Sequence, residues 1–583
     1  MKKISIIFLA VILFSNIINC LTVRAIINDE EIKIAKENLK DEIILNACNY
    51  SLENIIGKLE EIDKAGYSII EISPIQGTKS DDLDGSKWWL LSQPINQDIG
   101  NAQIGNKDDL INLCTEAKKT GIKIIVQVEL NHMAFSEDNE TLSELVVEEF
   151  KDIDLYHNLG KCDDWSNRWA VTQKNIKGMD LNTQNPNVQE KALKFLNDCI
   201  DAGVSGFRFN KANYIETSYG EDLEKGWASD YWEYILGNLK NKESLLIYGD
   251  IKNCDANNED AYKKYMNISS EKYADSLLEA VRSNKLKNID INNKISSQYF
   301  ENEDSFYLGE SKNLSENERK ICWAILSARK DVSPIFFSRP SNKIGNIGED
   351  FYNHEDIKVL NKFHKDMKGL SENIRLINDN AMLIERGRNG AVLVNNGEHA
   401  VINIETNLED GMYENKISDG GTFVVSNGRL IGNIKKKTVA VFYKEKIVYF
   451  KSPSNWNEAS IYVYKNKEEL SEWPGKKMIY DNNKGLYYYI FPEGWNEEAV
   501  RVIFNNRGDV LNQLENQIPQ TGKQGFLCDK VTSIFDSSKE YKEGQSLEYY
   551  SKDGFFIGGL TTDKSSPQTI NKEIKIYAGA SWC

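Results

Sequence analysis

From about Ile43 to Leu370 the chain alternates short apolar runs with runs of helical periodicity. That alternation restricts the fold to a parallel sheet wrapped by helices. Leu52, Ile55, Ile56, Leu59 and Ile62 share one helical face, and Ser68–Ser73 follows as a short buried strand. Lys107–Thr120 reads as a helix and Ile122–Asn131 as a strand. Val188–Asp201 is helical, and Gly203 ends it before a strand begins at Gly206. Leu245–Ile251, Gln298–Asp304 and Pro334–Ser338 are further strands. The number of units predicts an α/β fold, an eight-stranded β/α (TIM) barrel spanning 26–370, with function at the C-terminal strand ends. The stretch 133–179 is too long for a simple βα loop and predicts a small inserted domain.

After the barrel the pattern changes. AMLIERG, GAVLVNNGE, GTFVVSNGRLIG and TVAVFY are short strands parted by Gly and Asn turns, predicting an antiparallel β-domain over 371–450. A β-sandwich module is expected over 451–532, and the polar segment 533–583 is unassigned. Residues 1–25 read as a signal peptide. Lys2 and Lys3 precede the apolar run Ile4–Phe14, and Val23 and Ala25 would sit at −3 and −1 of a cleavage site. Secretion to the extracellular space is therefore expected, as a monomer, and no later run is apolar enough to span a membrane. With 71 Lys and Arg against 88 Asp and Glu, the net charge is −17, which excludes a polyanionic partner such as nucleic acid. Cys20 would leave with the signal. Of the remaining eight cysteines none forms a CxxC pair, and several fall in apolar helical patterns as small core residues. Their even number permits bridges without requiring them.

Four segments fall at strand tips of the predicted barrel. They are VQVELNH (Val126–His132), GFRFNKANY (Gly206–Tyr214), IYGDI (Ile247–Ile251) and YFENEDSF (Tyr299–Phe306). In order and spacing they resemble the four signature regions of the alpha-amylase family of glycoside hydrolases. ISPIQG (Ile72–Gly77), QIGN (Gln103–Asn106), VTQ with DLNTQN (Val171–Asn185) and PIFFSRP (Pro334–Pro340) are similar to secreted bacterial saccharifying members. The resemblance covers about Ile43 to Tyr443.

Members of that family use two carboxyl groups about 5 Å apart, one as nucleophile and one as acid. A third carboxylate holds the sugar. By position the resemblance puts Asn210 at the nucleophile, Asp250 at the acid, normally Glu, and Asp304 at the third. An amide cannot ionise, and Asp is one CH₂ shorter than Glu. Gln127, Glu303, Asn213, Tyr214 and Ser92 also depart from the family pattern, whereas Arg208, Asn131, His132 and Gln93 keep it. The resemblance implies sugar contacts from Gln93, His132, Arg208, Trp88 and Trp89. It also implies a calcium site through Asn131, Thr172, Asp180 and the backbone of Tyr214, whose oxygens suit that ion. Structural alternatives stand beside each: a loop cap at Asp250, a pair of Asp304 with Arg208, a core histidine at His132, core tryptophans, and ordinary loop hydrogen bonds.

IYVYKN, EWPG, GLYYYIF, VIFNN and NQIP resemble small starch-binding modules. Tyr462 and Tyr464 share a strand face. With Trp473 they would form a platform for an α-glucan, and Gln517 would bond its hydroxyls; the alternative is that these rings fill the core. The expected function is binding of starch or related α-1,4-glucans with hydrolysis absent or very weak. A working alpha-amylase and a surface protein with another partner are the alternatives. Arg208, deprived of a carboxylate at position 210, is expected to pair with Glu129, with Asp304 and Lys211 joining; the alternative turns Glu129 to water.

Overall fold

The computed structural model describes residues 36–443 apart from 257, 291–295 and 310, and parts of 447–527. The signal-peptide, Gln517 and 533–583 readings lie outside the described residues. Eight strands form one parallel sheet: β1 (Ile44–Ala47), β2 (Ile69–Ile72), β3 (Lys123–Val128), β4 (Gly206–Phe209), β5 (Leu246–Ile251), β6 (Asn267–Ser270), β7 (Ser297–Tyr299) and β8 (Ser333–Phe337). Their order, β6-β5-β4-β3-β2-β1-β8-β7, is that of a barrel opened between β6 and β7. Side chains close that seam. Gln298 accepts from the Ser270 N–H at 3.0 Å and donates to its carbonyl at 2.9 Å. The Ser296 hydroxyl does the same for Ile268, at 3.1 and 3.0 Å.

Strand alternation sorts the barrel interior into layers. Ile44, Ile69, Ile125, Leu246 and Ile335 form a dry lower layer. Two residues further along the same strands come Asn46, Glu71, Gln127 and Tyr248, all buried. The outward faces pack against helices, through Ile70, Ile124, Phe207 and Ile247. Helix Lys107–Thr120 begins at an Asn106–Asp109 capping box and ends at the left-handed Gly121. Helix Pro186–Asp201 starts with Asn185 as cap and proline in its first turn.

Three elements differ from the sequence reading. The Leu52–Ile62 periodicity is carried by two short helices, Leu52–Ile56 and Leu59–Lys64, parted at Gly57 and Lys58. The run expected as a strand to Asp304 stops at Tyr299. Asn302 then caps a helix, Glu303–Tyr307, so Glu303 and Asp304 stand in its first turn. The strand β6 has no counterpart in the sequence reading.

In the inserted segment His132–Met133 pairs with Met179–Asp180 over a small core of Met133, Phe135, Phe150, Tyr156 and Leu181. After the barrel come two four-stranded antiparallel sheets. The first, Glu372–Asn378, Ala381–Arg386, Gly390–Asn395 and Thr438–Tyr443, is tied to the barrel by Arg386, which donates to the Arg329 and Met367 carbonyls. The chain divides into compact units after Tyr443, so Ile447–Phe450 lies in the second unit, where it pairs with Leu486–Ile490. That second unit holds a three-stranded sheet and one built on Ser460–Lys465 and Val500–Asn505. Among the described residues no helix is long and apolar enough to cross a membrane, and Cys48, Cys114, Cys162, Cys199, Cys254 and Cys322 are free thiols.

Gly206 opens β4 against β5. A Cβ there would lie 1.9 Å from the Leu246 carbonyl oxygen, backbone that cannot step aside. Gly206→Ala is expected to destabilise the protein by roughly 1–3 kcal/mol or more, read as a lower urea midpoint with an unchanged slope.

Candidate functional site

Arg208 points from β4 into the barrel and is 3 % exposed. A guanidinium so far from water needs charge close by. Nη1 donates to Glu71 at 2.9 Å and lies 3.4 Å from Glu303, and Nη2 reaches Asp250 at 3.1 Å. Glu71 is itself held by Asn46 at 2.7 Å and by the Tyr248 hydroxyl. Burial disfavours the Arg208 charge, but Glu303, Glu71 and Asp250 outweigh it and hold Arg208 firmly protonated. Burial raises Glu71 above the usual carboxylate range, Arg208 opposing.

Asp250, at the end of β5, is fully buried and uses both oxygens. Oδ1 accepts from Ser269 at 2.9 Å and Tyr299 at 3.0 Å. Oδ2 meets Arg208 at 3.1 Å and the Lys211 ammonium at 3.0 Å. Burial alone would raise its affinity for a proton; Lys211 and Arg208 reverse that and hold the carboxyl well below the usual range. Asp304 is likewise held ionised against burial by Lys211, 3.2 Å away, and by Lys177 and Lys252 at 4.0 Å. The structure thus brings Asn210, Asp250, Asp304 and Arg208 to one place, with Lys211 among them.

The expected partner of Arg208 is corrected. Glu129 does point inward and is buried, but it accepts from the Asn210 amide and, at 3.3 Å, from Gln127. Glu71, Glu303 and Asp250 take Arg208, and Asp304 pairs with lysines rather than with the arginine. Register explains this. Gln127 lies beside Arg208 on the neighbouring strand, so Glu129, two residues on, lies level with Asn210. The Glu71 signal was present in the sequence as the one charge in the strand IIEI.

The remaining sugar-contact readings separate. Trp88 lines the cavity at the strand tips and stacks on Tyr307, centroids 4.8 Å apart and planes within 8°. Trp89 faces outward, 43 % exposed, with Lys79 5.8 Å from its ring. Gln93 spends its amide on the Lys177 carbonyl at 2.7 Å and the Phe135 N–H at 3.2 Å. His132 is buried with Nε2 3.0 Å from the Ser92 carbonyl. Neither lines the cavity, whose volume is about 20 Å³, room for about one water.

Of the oxygens expected to hold calcium, three gather. The Asn131 amide nitrogen donates to Asp180 at 2.8 Å and to the Tyr214 carbonyl at 3.1 Å, and its Oδ1 is buried without a hydrogen-bond partner. Rotating that amide by half a turn would aim the oxygen at two others, an arrangement a hard cation satisfies. The Thr172 hydroxyl donates to the Arg168 carbonyl at 3.1 Å. Burial pushes Asp180 up to about 7, with His157 at 2.6 Å opposing. Among the described residues no three His, Cys, Asp or Glu side chains cluster to hold a metal.

In the second unit Tyr462 packs between Tyr464, centroid 5.6 Å away, and Trp473, 5.2 Å away. Tyr462 is 2 % exposed, so it underlies the cluster, leaving half-buried Tyr464 and Trp473 as the accessible rings.

Residues 46–324 match the profile of the alpha amylase catalytic domain, and residues 448–519 that of starch-binding module 26. An alpha-amylase of Clostridium acetobutylicum is 44% identical over 417 residues, covering 70% of this chain and 55% of that protein. An alpha-amylase of Butyrivibrio fibrisolvens is 26% identical over 586 residues, covering 89% and 58%. The chain thus spans a little over half the length of these curated relatives. Among solved structures, wild-type alpha-amylase I from Eisenia fetida superposes with TM-score 0.56 at 18% identity, over 69% of this chain and 97% of that one. An alpha-amylase from Malbranchea cinnamomea gives 0.57 at 15%, over 70% and 97%. At these identities the likeness speaks for the fold.

Asp250 neutralises two buried cations, so Asp250→Asn is expected to cost roughly 3–5 kcal/mol of stability, measured by urea denaturation. The sign with pH follows from a folded carboxyl held below its unfolded value. Its stabilisation is fully present above the unfolded pKa of about 3.9 and is lost as pH falls towards the folded one. The parent's excess stability over Asp250→Asn should therefore shrink below about pH 4.

Proposed function

Because residues 46–324 carry an alpha-amylase catalytic domain and residues 448–519 a starch-binding module, we propose that this protein binds starch or related α-1,4-glucans and hydrolyses them very weakly or not at all. The observation that carries this reading is the state of Asp250. A general acid must hold a proton before the bond breaks. Asp250 stands between two cations that keep it ionised, with both its oxygens already engaged. Asn210 supplies no anion to attack the anomeric carbon or to steady an oxocarbenium-like transition state. Its amide donates to Glu129 instead. Lys177, Lys211 and Asp304 crowd the cavity at the strand tips.

Binding then rests on the module, with Tyr464 and Trp473 as the rings that meet sugar and Tyr462 as their support. In the barrel, Asn131, Asp180 and the Tyr214 carbonyl would hold calcium, which when bound would tie the inserted segment to the loop after β4. The N-terminal Lys2-Lys3 and Ile4–Phe14 pattern supports secretion. The name alpha-amylase on the relatives favours a second reading, a working hydrolase. Glu129, beside Asn210 and on the same inward face, is the carboxylate nearest to hand for it.

Reducing ends released from soluble starch by the purified protein decide between these readings. The expected rate is at least about 10⁴-fold below a working amylase; turnover of several per second would overthrow the first reading. Trp473→Ala should weaken starch binding by roughly 1–3 kcal/mol, by analogy with other aromatic stacking platforms. Unchanged binding by a folded variant, in a pull-down on insoluble starch, would remove the platform. Added calcium should raise the melting temperature of the parent, and Asn131→Leu should abolish that rise.

A further inference from the structure

We propose that Lys211 shuts the barrel mouth against sugar: its ammonium fills the place between Asp250 and Asp304 that a glycosyl ring would have to enter, and removing that charge uncovers a maltooligosaccharide site. The inference rests on the reading of the barrel as non-catalytic and names the residue that closes it.

Lys211 follows Asn210 at the tip of β4 and adopts left-handed backbone angles, φ 46° and ψ 52°, which a residue with a Cβ ordinarily avoids. Such a conformation persists where its surroundings over-determine it. The side chain is 3 % exposed and lines the cavity together with Trp88, Gln127, Lys177, Arg208 and Asp304. Its ammonium lies 3.0 Å from Asp250, 3.2 Å from Asp304 and 4.0 Å from Glu271.

Every charged neighbour bears on this position. Asp250 and Tyr299 face it from β5 and β7, Asp304 from the helix after β7, and Glu271 from the helix after β6. Lys252 competes for Glu271 at 2.9 Å, and Lys177 approaches Asp304 at 4.0 Å from the inserted segment. Arg208 takes the other side of Asp250. Burial opposes the Lys211 charge, and the Asp250, Asp304 and Glu271 charges overcome it. The ammonium bridges the two carboxylates, Asp250 and Asp304. Sugar hydroxyls therefore have to displace a cation that Coulomb attraction, strengthened by exclusion of water, holds in place. A neutral side chain imposes no such penalty.

The test uses the full-length chain carrying Trp473→Ala, so that the module does not mask the barrel, and titrates maltotriose by calorimetry. Lys211→Ala and the closer-shaped Lys211→Met are expected to gain one site per chain, at least about tenfold tighter than any heat seen with the parent. Lys211→Arg, which keeps the charge, is expected to stay closed. Folded neutral variants that bind no better than the parent, or a Lys211→Arg variant that opens equally, would overturn the proposal. Should neither neutral variant fold, the parent decides through the carboxyl-carbon resonances of Asp250 and Asp304. They are expected to ignore maltotriose, and movement on its addition overturns the closure. Rapid starch hydrolysis by the parent would instead defeat the non-catalytic reading, and the proposal with it, whereas silent variants beside a silent parent defeat the closure alone.

Discussion

A guanidinium buried in the middle of a barrel dictates much of what surrounds it. Arg208 has almost no contact with water, so the elements around it must answer its charge. β2 answers with Glu71, β5 with Asp250, and the helix after β7 with Glu303. Those carboxylates crowd one another in turn. Lys211 relieves the crowding at Asp250 and Asp304, and Asn46 and Tyr248 relieve it at Glu71. The polar layer above the dry barrel floor is in this sense one connected object. Replacing one member leaves a charge unmatched elsewhere, which is why such clusters resist piecemeal repair.

That connectedness bears on the proton affinity of each carboxyl group in the layer. Acid–base chemistry needs two carboxyl groups whose proton affinities have been driven apart, one ionised and one protonated. Here Lys211 drives both Asp250 and Asp304 the same way, towards the ionised form, joined by Arg208 at the first and by Lys177 and Lys252 at the second. The geometry is that of a stabilising ion-pair cluster.

The parallel barrel and the antiparallel sheets after it were legible in the sequence because their signals are local. Helix Lys107–Thr120 has its capping residues inside or beside it, and the period of each strand is set by which face is buried. β6 escaped notice because NISS has almost no apolar content to betray a strand. Asp304 continues a strand-like run in the sequence, but the Asn302 side chain caps a helix that starts at Glu303. The partner of Arg208 is hidden for a different reason. Distance along one strand is readable from sequence, but which residues face each other across the barrel depends on stagger between strands, and Glu71 lies 137 positions from Arg208. Burial of Tyr462 beneath its neighbours was equally invisible, since alternation gives a face and not a depth.

The seam between β6 and β7 has a consequence for association. Gln298 and Ser296 stand in for a ladder of main-chain bonds. Were they to let go, the closed cylinder would become an open sheet with two free edges, each bearing unpaired amide and carbonyl groups. Free edges are templates on which another chain can add. Two side chains therefore keep the barrel's edges paired, on the same strands that bring Ser269 and Tyr299 to Asp250.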